Sequence, residues 1–106
     1  MDARVQARYK ARAKVIKALA HPTRLFIVDE LAKGERCVCE LTALIGADTS
    51  TVSKHLTVLK NAGVVTDEKR GLMVFYRLRH PWARTMFDCA DQILLSSARE
   101  AVGRVE

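Results

Sequence analysis

Two thiols one residue apart, Cys37 and Cys39, are the side chains of this chain best placed to do chemistry. They open a short apolar run, CVCELTALI, where the positive end of a helix dipole favours thiolate over thiol. Soft thiolates take thiophilic ions such as As(III), Cd(II), Pb(II) or Zn(II). Two other fates are open to the pair: oxidation to a strained, labile disulfide, or burial as small hydrophobes. Residues i and i+2 of a regular helix diverge by about 200°. A helix beginning at Cys37 would therefore have to unwind its first turn before both sulfurs could reach one ion. Cys89 falls on the apolar stripe of the last helical segment, where core packing is expected and ligation is the alternative.

A second stretch, TSTVSKHLTVLKNAG from Thr49 to Gly63, carries a different chemistry. Val52, Leu56 and Leu59 recur at helical spacing and form a buried face. Between them lie Ser50, Thr51, Ser53, Lys54, His55 and Thr57, with no carboxylate in the segment. Hydroxyls and cations without acids suit a polyanion, in particular the major groove of DNA.

The remaining elements must position these two stretches. The chain has 106 residues, a net charge of +6 and 49% hydrophobic residues, which describes one globular domain with an anionic partner. No apolar run reaches the roughly 20 residues of a membrane span, and no signal-peptide core stands at the N-terminus. Three cysteines, two of them one residue apart, make a poor disulfide framework and point to a reducing cytoplasm.

Residues 1–20 read as a helix with an apolar stripe of Val5, Tyr9, Ile16 and Leu19. Around it stand six cations, Arg4, Arg8, Lys10, Arg12, Lys14 and Lys17, for which solubility is expected ahead of phosphate contact. Pro22 opens a second helix that ends at Gly34, with Arg24 facing a phosphate or a carboxylate. Residues 37–63 have the layout of a helix-turn-helix: a short helix over Cys37–Ile45, a turn at Gly46, then the polar-faced helix capped by Asp48 or Thr49. Residues 64–78 form a β-hairpin wing, with strands at Val64–Thr66 and Met73–Leu78. The polar DEKRG between them is the expected tip, from which Lys69 and Arg70 protrude. Residues 81–103 return to helical period. Pairing of this last helix with the first across a two-fold axis would cover both stripes. The expected fold is thus mainly α with a β-hairpin wing: a single winged helix-turn-helix domain over 1–106, homodimeric through residues 1–20 and 81–103. No Ser/His/Asp arrangement or phosphate-cradling glycine loop occurs, so no enzyme is expected.

KALAHPTRLFIVDELAKG, CVCEL, TSTVSKHLTVLKNAGVV and GLMVFYRL keep an order and spacing, from about Leu19 to Leu78, that resembles the ArsR/SmtB family of metal-sensing repressors. The C-V-C spacing is similar to the inducer motif of its arsenic and cadmium/lead branches. The resemblance implies a cytoplasmic homodimer that occupies operator DNA upstream of a resistance or efflux operon and lets go when a metal or metalloid binds. It implies that Ser50, Thr51, Ser53, Lys54 and His55 face base edges and phosphates, with Arg70 at the wing. It implies As(III) as the inducer held by Cys37 and Cys39, with Cd(II), Pb(II) and Zn(II) as alternatives. The chain departs from the arsenic pattern at Thr42, where that branch has a third cysteine, which leaves Cys89 as the remaining thiol. Residues 1–20 also lack the cysteines of the cadmium/lead branch, and the last helix lacks the histidine pairs of the zinc branch.

Overall fold

A computed structural model describes residues 1–105, with side chains through residue 103. The element order is α1 (Ala3–Leu19), α2 (Pro22–Ala32), β1 (Arg36–Cys37), α3 (Val38–Ile45), α4 (Thr49–Asn61), β2 (Val65–Arg70), β3 (Met73–Leu78) and α5 (Ala83–Val105). The architecture is a winged helix-turn-helix.

Local chemistry explains the helix boundaries. Asp2 caps α1 by accepting from the Val5 N–H at 2.9 Å. Pro22 takes the first position of α2, where a missing N–H costs nothing, and the His21 ring accepts from the Thr23 N–H at 3.1 Å. Gly46 ends α3 in the left-handed region at φ 75°, and Asp48 starts α4 by accepting from the Thr51 N–H at 2.8 Å. Between these two caps the chain reverses in three residues, which is what sets the helix-turn-helix angle.

One core holds the elements together. Ile27 and Val28 of α2, Leu41 of α3, and Val52, Leu56 and Leu59 of α4 are wholly buried, with Val64, Val65 and Tyr76 closing the sheet side. Among the described residues of the last segment, only Ala83 is buried, with Trp82, Met86 and Phe87 packed half-buried against the core. The rest of α5 and most of α1 project from it. The radius of gyration is accordingly 16.9 Å, against about 13 Å for a compact chain of this length.

The sheet differs from the sequence expectation in two places. Its order is β1-β3-β2, all antiparallel, so a third strand joins the hairpin. Arg36 stands opposite Tyr76 and Cys37 opposite Phe75. Cys37 therefore ends a strand and caps α3, rather than opening the helix as expected. The hairpin tip is also shorter than DEKRG. Asp67 through Arg70 stay paired with β3, and only Gly71 and Leu72 turn. Gly71 at φ 62° followed by a residue at ordinary φ matches a type II′ hairpin turn. Lys69 and Arg70 thus lie at the end of β2 beside the tip. No helix among the described residues is long and apolar enough to cross a membrane.

Leu56 tests this core. Leu56→Ala should lower unfolding free energy by about 2–5 kcal/mol in urea titration followed by circular dichroism. Val58→Ala on the exposed side of the same helix should change it by less than about 0.5 kcal/mol. Equal effects would contradict the placement of α4.

Candidate DNA interface and dithiol site

Helix α4 presents its polar side chains in two directions. Ser50, Lys54, Thr57 and Asn61 are exposed, and their spacing of four, three and four puts them on one outward face. Thr51 is exposed beside them, while Ser53 is half-buried at the edge. Ser50 donates to the Asp48 carboxylate at 3.1 Å. Hydrogen bonds from Thr51 and then Ser50 hold that carboxyl below its ordinary range. Asn61 was not among the residues singled out from sequence, although its distance of eleven residues from Ser50 was signal enough.

His55 does not share the outward face. Its ring is half-buried and accepts from Arg24 through Nδ1 at 3.2 Å, with the His21 ring at 4.5 Å between centroids. Arg24 in turn donates from Nε to the Ala18 carbonyl at 2.6 Å. Arg24 was expected to face a phosphate or a carboxylate, and here it bridges α1, α2 and α4. The reason is geometric: His55 sits where α4 turns from core side to solvent side, against the α1–α2 corner. Burial first, then the neighbouring His21 and Arg24, push the His55 pKa below its ordinary value.

That shift carries a pH dependence of definite sign. Below about pH 6.5 the unfolded chain protonates its histidine before the folded one does. The contribution of His55 is intact above that pH and is lost as pH falls through the lower folded value. Wild-type protein should therefore lose more thermal stability between neutral and mildly acidic buffer than His55→Gln. Parallel melting profiles for the two would refute the assignment.

The wing cations are engaged differently from one another. Lys69 is exposed and makes no ion pair among the described residues. Arg70 is bound on three sides: to Glu35, to Glu68 at 2.9 Å, and over the Phe75 ring at 4.7 Å. Lys60, at the end of α4, pairs with Asp67 of β2 at 2.9 Å and ties the helix to the wing.

The two thiols of the C-V-C motif meet. Cys37 has the extended backbone of an N-cap, φ −78° and ψ 159°, and its Cα lies 5.3 Å from that of Cys39. The sulfurs are joined in a disulfide. The expectation that they diverge by about 200° assumed helix at both positions; because Cys37 precedes the helix, no unwinding is needed to bring them together. Cys37 is buried and Cys39 is exposed. A capping box surrounds them. The Cys37 sulfur accepts from the Glu40 N–H at 3.2 Å, and the Glu40 carboxylate accepts from the Cys37 N–H at 3.1 Å.

Cys89 is an exposed free thiol on α5, not the core residue that its apolar stripe suggested. Beyond Phe87 the described side chains of α5 are all exposed. Among the described residues, no group of three or more His, Cys, Asp or Glu side chains is gathered to hold a metal ion. Thr42, at the place of the third cysteine, has a buried hydroxyl without a hydrogen-bond partner.

Comparisons with known proteins agree with this architecture. Residues 21–67 match the family described as bacterial regulatory protein, arsR family. The HTH-type transcriptional repressor SmtB of Mycobacterium tuberculosis is 43% identical over 79 residues, 74% of this chain and 58% of that protein. A cadmium resistance transcriptional regulatory protein CadC homolog of Staphylococcus aureus is 45% identical over 67 residues, 62% of this chain and 55% of its own length. The match thus spans little more than half of these two relatives. The homodimeric winged helix-turn-helix DNA-binding domain Mb0332 of Mycobacterium bovis superposes with a TM-score of 0.76 at 32% identity, covering 89% of this chain and 87% of that one. The chain belongs to the ArsR family of bacterial regulatory proteins.

Proposed function

We propose that this protein is a transcriptional repressor of the cytoplasm that holds operator DNA as a homodimer and releases it when a thiophilic ion, As(III) first among them, binds Cys37 and Cys39. Ser50, Thr51, Ser53 and Lys54 meet base edges and phosphates, Lys69 meets the backbone at the wing, and His55 and Arg70 act by positioning. Residues 37–63 form the reading unit, 64–78 the wing, and 1–20 with 81–103 the dimer contact.

The observation that carries this reading is the position of Cys37. It is paired to the wing strand through Phe75, and its sulfur caps α3, whose C-terminus leads directly into the turn before α4. An ion held by both thiolates draws that sulfur from the cap and pulls on both DNA-contacting parts at once. N-caps are worth about 0.5–2 kcal/mol with oxygen acceptors, and sulfur is a weaker acceptor. A modest energy suffices, since couplings between ligand and DNA run to about 5–150-fold in affinity. Two thiolates from this motif leave a third position for a small exogenous thiol or, across the dimer, Cys89.

The bonded sulfurs favour a second reading of the same site, a redox switch. Two thiols give one disulfide, two protons and two electrons, and a peroxide that accepts them becomes two molecules of water or alcohol and water.

One titration separates the readings. Reduced protein bound to its fluorescent promoter fragment is exposed to As(III), Cd(II), Pb(II), Zn(II) and hydrogen peroxide in turn. Release by an ion, abolished by Cys37→Ser or Cys39→Ser, is the expected result. Release by peroxide alone would move the function to the redox reading. Indifference to every input would leave a repressor whose thiols are structural.

A further inference from the structure

We propose that the edge of α1 bearing Lys10, Lys14 and Lys17 is a second phosphate-binding surface, which grips the DNA backbone beside α4. The inference rests on the DNA-binding reading above and adds to it a contact outside the helix-turn-helix and the wing.

The three lysines are spaced by four and three residues and share one edge of the helix. The edge is about 10 Å long at 1.5 Å per residue. Three successive phosphates of one strand span about 7 Å of axial rise, so the edge is long enough to follow them.

Its location is the second observation. Lys14, Lys17 and Ala18 line a cavity of about 300 Å³ together with Val58, Asn61 and Ala62. Asn61 belongs to the outward face of α4 with Ser50, Lys54 and Thr57. The lysine edge is therefore continuous with the face that reads DNA, and a duplex seated there brings its backbone alongside.

Charge supplies the third. All three ammonium groups are exposed, and none makes an ion pair or hydrogen bond among the described residues. No carboxylate lies within α1, and the nearest in sequence, Asp2, is occupied with the Val5 N–H. The cations Lys33, Arg36, Lys60 and Arg70 all have carboxylate partners. Like charges three and four residues apart work against a helix, and what separates this edge from the equally unmixed stripe of Arg4, Arg8 and Arg12 is its position beside Asn61. Arg4, Arg8 and Arg12 form a separate stripe on the other side of Val5, Tyr9 and Ile16, and serve as an internal control.

The test uses the full chain and a fluorescein-labelled mixed-sequence duplex, read by anisotropy across a salt series. Each phosphate contact contributes about 0.9 to the slope of log affinity against log salt. The triple variant Lys10→Gln, Lys14→Gln, Lys17→Gln should flatten that slope by up to about 2.7 per protomer and weaken low-salt binding by about tenfold or more. The triple variant Arg4→Gln, Arg8→Gln, Arg12→Gln removes the same net charge and should leave the slope nearly as in wild type. If the lysine triple loses helical content, Lys14→Gln alone should still flatten the slope by about 0.9. An unchanged slope in the lysine variants, or equal losses in both triples, would overturn the proposal. Failure of wild type to bind any duplex would instead bring down the DNA reading itself, and this surface with it.

Discussion

The change of backbone at Cys37, extended on one side and helical on the other, is the joint on which the molecule depends. Toward the N-terminus it completes β1 and gives the hairpin a third strand. Toward the C-terminus it caps α3, and Leu41, one turn on, is buried without residual exposure. The hairpin is thus fixed to the reading helices by backbone pairing as well as by side chains. Glu35, two residues earlier, holds Arg70 at the far end of β2, so the outer strand is tied to the same segment. Anything that takes the Cys37 sulfur acts where wing and helix-turn-helix are one piece of chain.

Acidic side chains have been placed with local purposes. Asp48 caps α4, Asp67 holds Lys60, Glu35 and Glu68 hold Arg70, and Glu40 serves both the Cys37 N–H and Arg36. Exposed pairs of this kind contribute about 0–1 kcal/mol each. Their effect is orientation: Lys60–Asp67 fixes the exit of α4 against β2, and Arg70–Glu35 fixes the wing against β1. These acids neutralise the wing side of the domain, and the net charge of +6 is left concentrated on α1. A single total therefore conceals an uneven surface.

The helices were legible because each carries its own punctuation. Pro22 at the first turn, Gly46 in the left-handed cap and Asp48 before a run of hydroxyls act over four residues or fewer, within reach of a sequence pattern. What escaped depends on partners far along the chain. Two residues cannot display a strand period, and β1 exists because β3 offers it Tyr76 and Phe75. DEKRG reads as a turn by composition, yet Asp67 and Glu68 find Lys60 and Arg70, and the polar run stays in the ladder. His55 has the type and position of a base reader, but Arg24, 31 residues earlier, turns it inward. Of the candidate site, the closeness of the two thiols in sequence and the polar side of α4 were readable. Their geometry was not, because it is set by the cap at Cys37 and the corner at His21.

Helices α1 and α5 leave the core carrying apolar side chains that one chain does not cover. Tyr9 and Ile16 on the first, and Ile93, Leu94, Leu95 and Val102 on the last, are all exposed. Burying one such side chain is worth about 1.5–3 kcal/mol, so a second copy offering the same stripes is a strong partner. On α1 the apolar stripe centred on Val5, Tyr9 and Ile16 is rotated by about 130° from the lysine edge, at 100° per residue. The proposed partner and the proposed phosphate contact would therefore claim different faces of one helix and would not compete. A dimer closed over the apolar stripe leaves the lysines free, and it fixes the distance between two copies of α4 through helices that meet the partner rather than the base edges. On the proposed reading, a strain introduced at Cys37 would change the aim of each α4 within that fixed frame, and two misaimed helices held at a set spacing would lose the duplex together.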